Sequence, residues 1–204
     1  MLREKIIGIF LLFYILQTGL SATFIIKDEL GIHPEFHNQV DEMGAELLKK
    51  TGISPYILIL KTTNGESLSK IGAEELAKLS PNSLILTFTE LEKKVDIVGN
   101  SEVLKLFDKE QVLSPYPWSG TILPILGEKI KKDIRHKYSV ALFNGYADIV
   151  EQIAETKSVV LDSAVGSSNK VVINIIRAIF YGIIVFALGY IVYRKYFQKK
   201  DTDV

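Results

Sequence analysis

The sequence predicts an α/β fold, an α/β/α sandwich around a mixed sheet of about four strands. Three observations carry this. Two short continuous apolar runs, Tyr56 to Lys61 and Ser83 to Thr89, read as strands buried on both faces, which requires helices covering the sheet. Between and after them stand segments whose apolar residues recur every three or four positions, the period of helices with one buried face. The resulting order, β-α-β-α-β-β-α-α-α, is that of a layered α/β domain.

The elements follow from local chemistry. Thr23 to Lys27 is β-prone and ends at Asp28-Glu29. Pro34 to Lys50 carries Phe36, Val40, Met43 and Leu47 at helical spacing, with Pro34 in its first turn and Gly52 as its stop. Ser67 to Leu79 reads as a second helix, broken by Ser80-Pro81-Asn82. Lys94 to Val98 is the antiparallel partner of the strand before it. Glu102 to Glu110 reads as a short helix, and Leu113 to Gly120 as a loop stiffened by Pro115 and Pro117. Two longer helices are expected over Thr121 to Tyr138 and Val140 to Thr156, and a short strand and Ser/Gly linker after Ser158.

The chain has 204 residues, 48% hydrophobic, with a mean hydropathy of +0.21. Its longest apolar runs lie at the two ends. Ile6 to Leu16 follows Arg3 and Lys5 and precedes Gly19, Ser21 and Ala22, the layout of a secretory signal peptide over residues 1–22. An uncleaved anchor is the alternative, although this run is short for a hydrocarbon core of about 30 Å. Val171 to Tyr193 corresponds to a helix of about 35 Å, long enough to span a bilayer. Arg194, Lys195, Lys199 and Lys200 then mark residues 194–204 as a cytoplasmic basic tail. The expected product is a single-pass protein of the inner (cytoplasmic) membrane. Its domain of residues 23–157 would be periplasmic or extracellular, joined to the span by a linker of residues 158–170.

Charge narrows the function classes. Overall, 24 basic side chains balance 24 acidic ones, but residues 23–170 hold 17 basic against 21 acidic. An acidic domain is a poor nucleic-acid binder, because phosphate neutralisation needs clustered positive charge. The absence of cysteine excludes disulfides, thiolate metal sites and a cysteine nucleophile. No G-x-S-x-G, Walker A or G-x-G-x-x-G motif occurs.

One family matches this arrangement of elements. The strand end Ile26-Lys27-Asp28, the helix end Lys50-Thr51-Gly52, the runs Tyr56 to Leu60 and Asn82 to Leu86, Val95 to Gly99, and Phe143-Asn144-Gly145-Tyr146 resemble the TPM domain family. The resemblance covers most of residues 23–156. It implies an extracytoplasmic α/β/α domain, often membrane-tethered, that assists membrane complexes or modulates receptors, with some members acting as acid phosphatases or calcium binders. The chain departs from the pattern of such sites. It has Thr89-Glu90-Leu91-Glu92-Lys93 where members with metal or phosphatase sites carry an Asp-Asp-Arg-like turn, and Pro81-Asn82-Ser83 in place of an Asn-Gly before the strand.

Four groups of residues are candidates for chemistry or binding. His33, His37 and Asp41 fall at i, i+4 and i+8, so one helix face would present all three to a metal; a solvated polar face is the alternative. Asp28, Glu29, Glu90 and Glu92 are carboxylates on two loops that a mixed sheet brings to one end, oxygen ligands suited to Ca²⁺ or Mg²⁺, against ordinary surface turns. His136 lies in a basic run, Lys131 to Lys137, expected to complement a helix C-terminus or to touch anionic headgroups or an acidic partner. Tyr116 and Trp118 are rigid aromatics suited to anchoring a partner, unless Trp118 packs over the core. In the expected span, Gly182 and Gly189 share a face suited to close helix packing.

Two readings of function result. The first is a non-catalytic, membrane-anchored accessory or assembly factor for a membrane protein complex. The second is a divalent-metal-dependent phosphatase-like hydrolase using Asp28, Glu90 or Glu92 as ligands.

Overall fold

The computed structural model describes residues 22–129, 133–164, 179–187 and 189–190. It divides into two units, Met1–Ser163 and Ala164–Val204. In the first, strands β1 (Ile25–Asp28), β2 (Ser54–Leu60), β3 (Ser83–Thr89) and β4 (Lys94–Gly99) form one sheet in that spatial order. The first three run parallel and β4 pairs antiparallel with β3, so the sheet is mixed as expected. Helix α1 (Pro34–Thr51) follows β1 and α2 (Leu68–Leu76) joins β2 to β3. Then come α3 (Ser101–Leu104), α4 (Lys109–Val112), α5 (Leu123–Gly127) and α6 (Ile134–Thr156).

Local signals set these boundaries. Gly52 ends α1 at φ +75°, a left-handed conformation that costs glycine little, and its amide closes on Leu48 O at 2.8 Å. The Ser67 and Asn100 side chains accept amides in the first turns of α2 and α3.

The side-chain period of two along each strand divides the core between two faces. Leu58, Leu60 and Ile85 gather with Ile71, Leu76 and Leu79 on the α2 side. On the other side Phe88 packs against Tyr138 of α6, with ring centroids 5.1 Å apart. Here α1 and α6 lie side by side and run in the same direction. The Tyr146 hydroxyl ties them to the sheet, lying 3.1 Å from the carbonyl oxygens of both Val40 and Pro55. Gly44 makes room for it, because a Cβ there would stand 2.5 Å from both the Tyr146 hydroxyl and the Phe24 ring.

Several expectations need correction. Glu102 to Glu110 is two short helices, because Asp108 caps a new one by accepting from Gln111 N. The last two helices do not divide at residue 139. Asp133 caps α6, which runs unbroken to Thr156, and only Leu123–Gly127 of the preceding stretch is helical among the described residues. Residues 159–163 form no strand. They are strapped to α1 instead, where the Glu46 carboxylate accepts from the amides of Asp162 and Ser163, and Lys50 Nζ donates to Val160 O at 2.7 Å.

In the second unit, residues 179–187 and 189–190 are helical. Among the described residues no helix is long and apolar enough to cross a membrane. Residues 1–21 of the expected signal peptide over 1–22 and much of the expected span over 171–193 lie outside the described residues.

Candidate functional site

Three parallel strands bring their carboxyl ends to one edge, where Asp28 pairs in register with Ile59, and Leu60 with Thr89. In open α/β sheets this edge is where ligands bind. The predicted acidic residues do lie here, at the ends of β1 and β3 and in the turn before β4. Asp28, Glu29 and Glu92 are each engaged separately.

Asp28 is the most enclosed, its side chain 6% exposed. Its Oδ1 accepts from the amides of Leu30 and Gly31 at 2.9 and 3.0 Å, and its Oδ2 from Ile32 N at 2.7 Å. His37 Nε2 stands 2.9 Å from the same Oδ2. Burial pushes the Asp28 carboxyl up, but His37 and the three amides outweigh it and hold the group below its ordinary range. Both oxygens are therefore spent on closing the turn that leads into α1, helped by Gly31 at φ +63°.

Glu29 pairs with Lys27 and accepts from Lys61 N at 2.8 Å. Glu92 reaches from the β3–β4 turn to the loop after β2, where its Oε1 accepts from Thr62 Oγ1 at 2.7 Å and Thr63 N at 3.0 Å. Those two contacts hold the carboxyl down at about 2. Its Oε2 is sealed from solvent without a hydrogen-bond partner, as are the hydroxyls of Thr87 and Thr89. Glu90 lies near Tyr138, whose phenol is raised by burial and by the Glu90 charge.

The His33, His37 and Asp41 set is split in the same way. His37 goes to Asp28, and Asp41 Oδ1 accepts from Phe24 N at 2.6 Å, pinning β1 to α1. His33 is the N-cap residue of α1 without a side-chain cap bond. Among the described residues no group of three or more His, Asp or Glu is placed to hold a metal ion. The donors present do not fit a preformed Ca²⁺ or Mg²⁺ site, and no catalytic step through such an ion follows from them.

Sequence spacing missed two features. His33 and His136 line one groove of about 270 Å³ with Glu35, Gln39, Ser139 and Asn144, brought together because α1 and α6 start at the same end. His136 sits in the first turn of α6, so the expected complement to a helix C-terminus is reversed. The second feature is the Glu46 strap, whose partners lie beyond residue 160.

Trp118 does not pack over the core. It is 81% exposed and Tyr116 is 56% exposed. Their rings stack at 5.0 Å with an interplanar angle of 15°. The loop beneath is locked: Gly120 N donates to Tyr116 O at 2.8 Å, the Ser114 and Ser119 hydroxyls meet at 2.6 Å, and Gln111 Nε2 donates to Ser119 O at 2.6 Å. Gly120 is required, because a Cβ there would meet Ser114 O at 1.7 Å.

No protein-family model matches the chain, and no curated protein matches its sequence. Solved structures bear a likeness to it. The N-terminal domain of a protein from P. gingivalis, solved by NMR, aligns with a TM-score of 0.51 at 11% identity, covering 69% of this chain and 88% of that one. The N-terminal domain of the cg2496 protein from Corynebacterium glutamicum gives 0.46 at 12% identity over 74% and 88% of the two chains. The BA42 protein from Bizionia argentinensis gives 0.47 at 12% identity over 68% and 96%. At such identities the first of these likenesses establishes a shared fold and nothing of activity.

Proposed function

We propose that this chain is a TPM-like, membrane-tethered extracytoplasmic domain that serves a membrane protein complex as a non-catalytic accessory or assembly factor. The observation that carries the reading is the Tyr116–Trp118 stack, a pair of large side chains left in solvent on a loop held by the hydrogen bonds of Gln111, Ser114, Ser119 and Gly120. Such a pair contributes little to folding, and its rigidity lowers the entropy lost on docking. The acids are a second support. Asp28, Glu29 and Glu92 each close a loop, which leaves the phosphatase-like reading without a converged ligand set. The tether rests on the apolar run 171–193 and the basic residues after it, and export on the run Ile6 to Leu16.

The test is crosslinking of the full-length protein in intact membranes, beside a Trp118→Ala variant. The reading predicts membrane fractionation and one defined complex whose recovery falls in the variant. Divalent-ion-dependent hydrolysis of phosphate esters, abolished by Glu92→Gln, would move the hydrolase reading ahead.

A further inference from the structure

The tether reading leaves open what Tyr116 and Trp118 meet. From Gln111 to Gly127 no residue carries a charge, a stretch that includes both aromatics and all of α5. No residue of α5 is fully buried, and Leu123, Ile125 and Leu126 remain partly open. This surface continues through contacts: Gly120 lies against Pro124, and Lys137 Nζ donates to Leu126 O at 2.9 Å. At the start of α6, Ile134 is 46% exposed.

Basic residues bound this strip. Lys129 and Arg135 are exposed beside it, and among the described residues of 128–137 the acids are Glu128 and Asp133. One of those acids, Asp133, is spent on capping α6. In the first turn of α6 Lys137 is spent on the carbonyl oxygens of Leu126 and Glu128, whereas Arg135 stands exposed where the macrodipole disfavours positive charge. Charge held against a local rule marks a position kept for something other than folding.

Indole and phenol rings beside uncharged aliphatic surface, edged by lysine and arginine, have the chemistry of a protein surface that settles into the headgroup region of an anionic bilayer. We propose that the Tyr116–Trp118 loop and α5 dock on the anionic lipid surface of the membrane to which the chain is tethered. This rests on the tether reading and names the partner of the same site: lipid, with a protein as the competing occupant.

Trp118 is the only tryptophan, so its emission reports on this loop directly. The full chain is reconstituted into phosphatidylcholine vesicles with and without phosphatidylglycerol. Flotation shows insertion, and the emission maximum and its quenching by brominated lipid show docking. The proposal predicts a blue shift and quenching in the anionic vesicles, both weakened by salt and by the neutral lipid. Lys129→Gln and Arg135→Gln each lower the docking constant about fivefold, since a basic residue near such a surface contributes about 1 kcal/mol.

A chain that floats with vesicles but keeps the emission of a water-exposed indole overturns the docking and leaves the tether standing. A chain that fails to float overturns the tether and the docking with it. A shift that is the same in neutral vesicles, or unchanged in the two variants, overturns the assignment to anionic lipid. A shift that appears only on adding a membrane-protein fraction gives the loop to a protein partner instead.

Discussion

The ring of Trp118 lies on that of Tyr116 with centroids 5.0 Å apart, and this stacked pair stands in solvent on a loop that is otherwise fully tied down. Rigid support and exposed apolar tips together separate a contact surface from a structural one. Trp118→Ala removes contacts with little besides Tyr116. We expect an unfolding free energy within about 0.5 kcal/mol of the parent, measured by urea denaturation, because exposed substitutions rarely cost more. A larger loss would mean that the indole packs on the domain and would weaken the docking account.

Tyr146 is the opposite case. It is fully buried, and burial pushes its phenol far above the usual range. Tyr146→Phe leaves Val40 O and Pro55 O without the hydroxyl, at a cost of about 1–3 kcal/mol in urea unfolding. Gly44→Ala drives a methyl into Phe24 and the same hydroxyl, and we expect a loss of about 1–3 kcal/mol from overpacking.

The stability of the domain should fall in acid. Burial raises the Glu46 carboxyl, but Lys50, Ser163 and the Asp162 amide hold it at about 2, below its ordinary 4.5. Glu92 is held at about 2 and Asp28 is also lowered. A folded-state value below the unfolded one means that the unfolded chain binds the proton more readily, so stability rises with pH across that interval. These groups contribute fully above pH 4.5 and lose their contribution as pH falls toward 2. Urea midpoints across that window should decline, and less steeply in Glu92→Gln than in the parent.

The strap on α1 makes a separate prediction. Glu46→Gln removes the ion pair with Lys50 and weakens the hold on Asp162 and Ser163. Limited trypsin digestion of the full chain should then cut after Lys157 faster than in the parent, with the remaining domain intact. Equal cutting rates would show that buried Leu161 holds the segment by itself.

The sequence made the sheet legible because strands between helices are announced by unbroken apolar runs, and β3 was found at its observed ends, Ser83 and Thr89. Helix α1 was equally clear, since Pro34 and Gly52 bracket a regular stripe. The region after β4 was not. Asp133 and Asp108 are caps, but in a stretch rich in charge a capping aspartate looks like any other. The sites were misread for a related reason. Spacing along α1 put His33, His37 and Asp41 on one face, yet the partners of His37 and Asp41, which are Asp28 and Phe24, come from β1 and the residue before it, packed beside the helix, and His33 lines a groove with His136 of α6. Periodicity describes a helix face and is silent about what meets it. Trp118 was harder still, because a lone tryptophan in a proline loop has the same sequence whether it faces the core or solvent.

The account's central claim is that the Tyr116–Trp118 loop is where this domain meets its membrane surroundings. The most direct measurement places a photoreactive residue at position 118 of the full-length chain, with Lys78 on the α2 side as the control position, and illuminates intact membranes. The account predicts crosslinks to lipid from position 118, and none above background from position 78. Unreacted chain from both positions alike, in membranes that hold the protein, would contradict it.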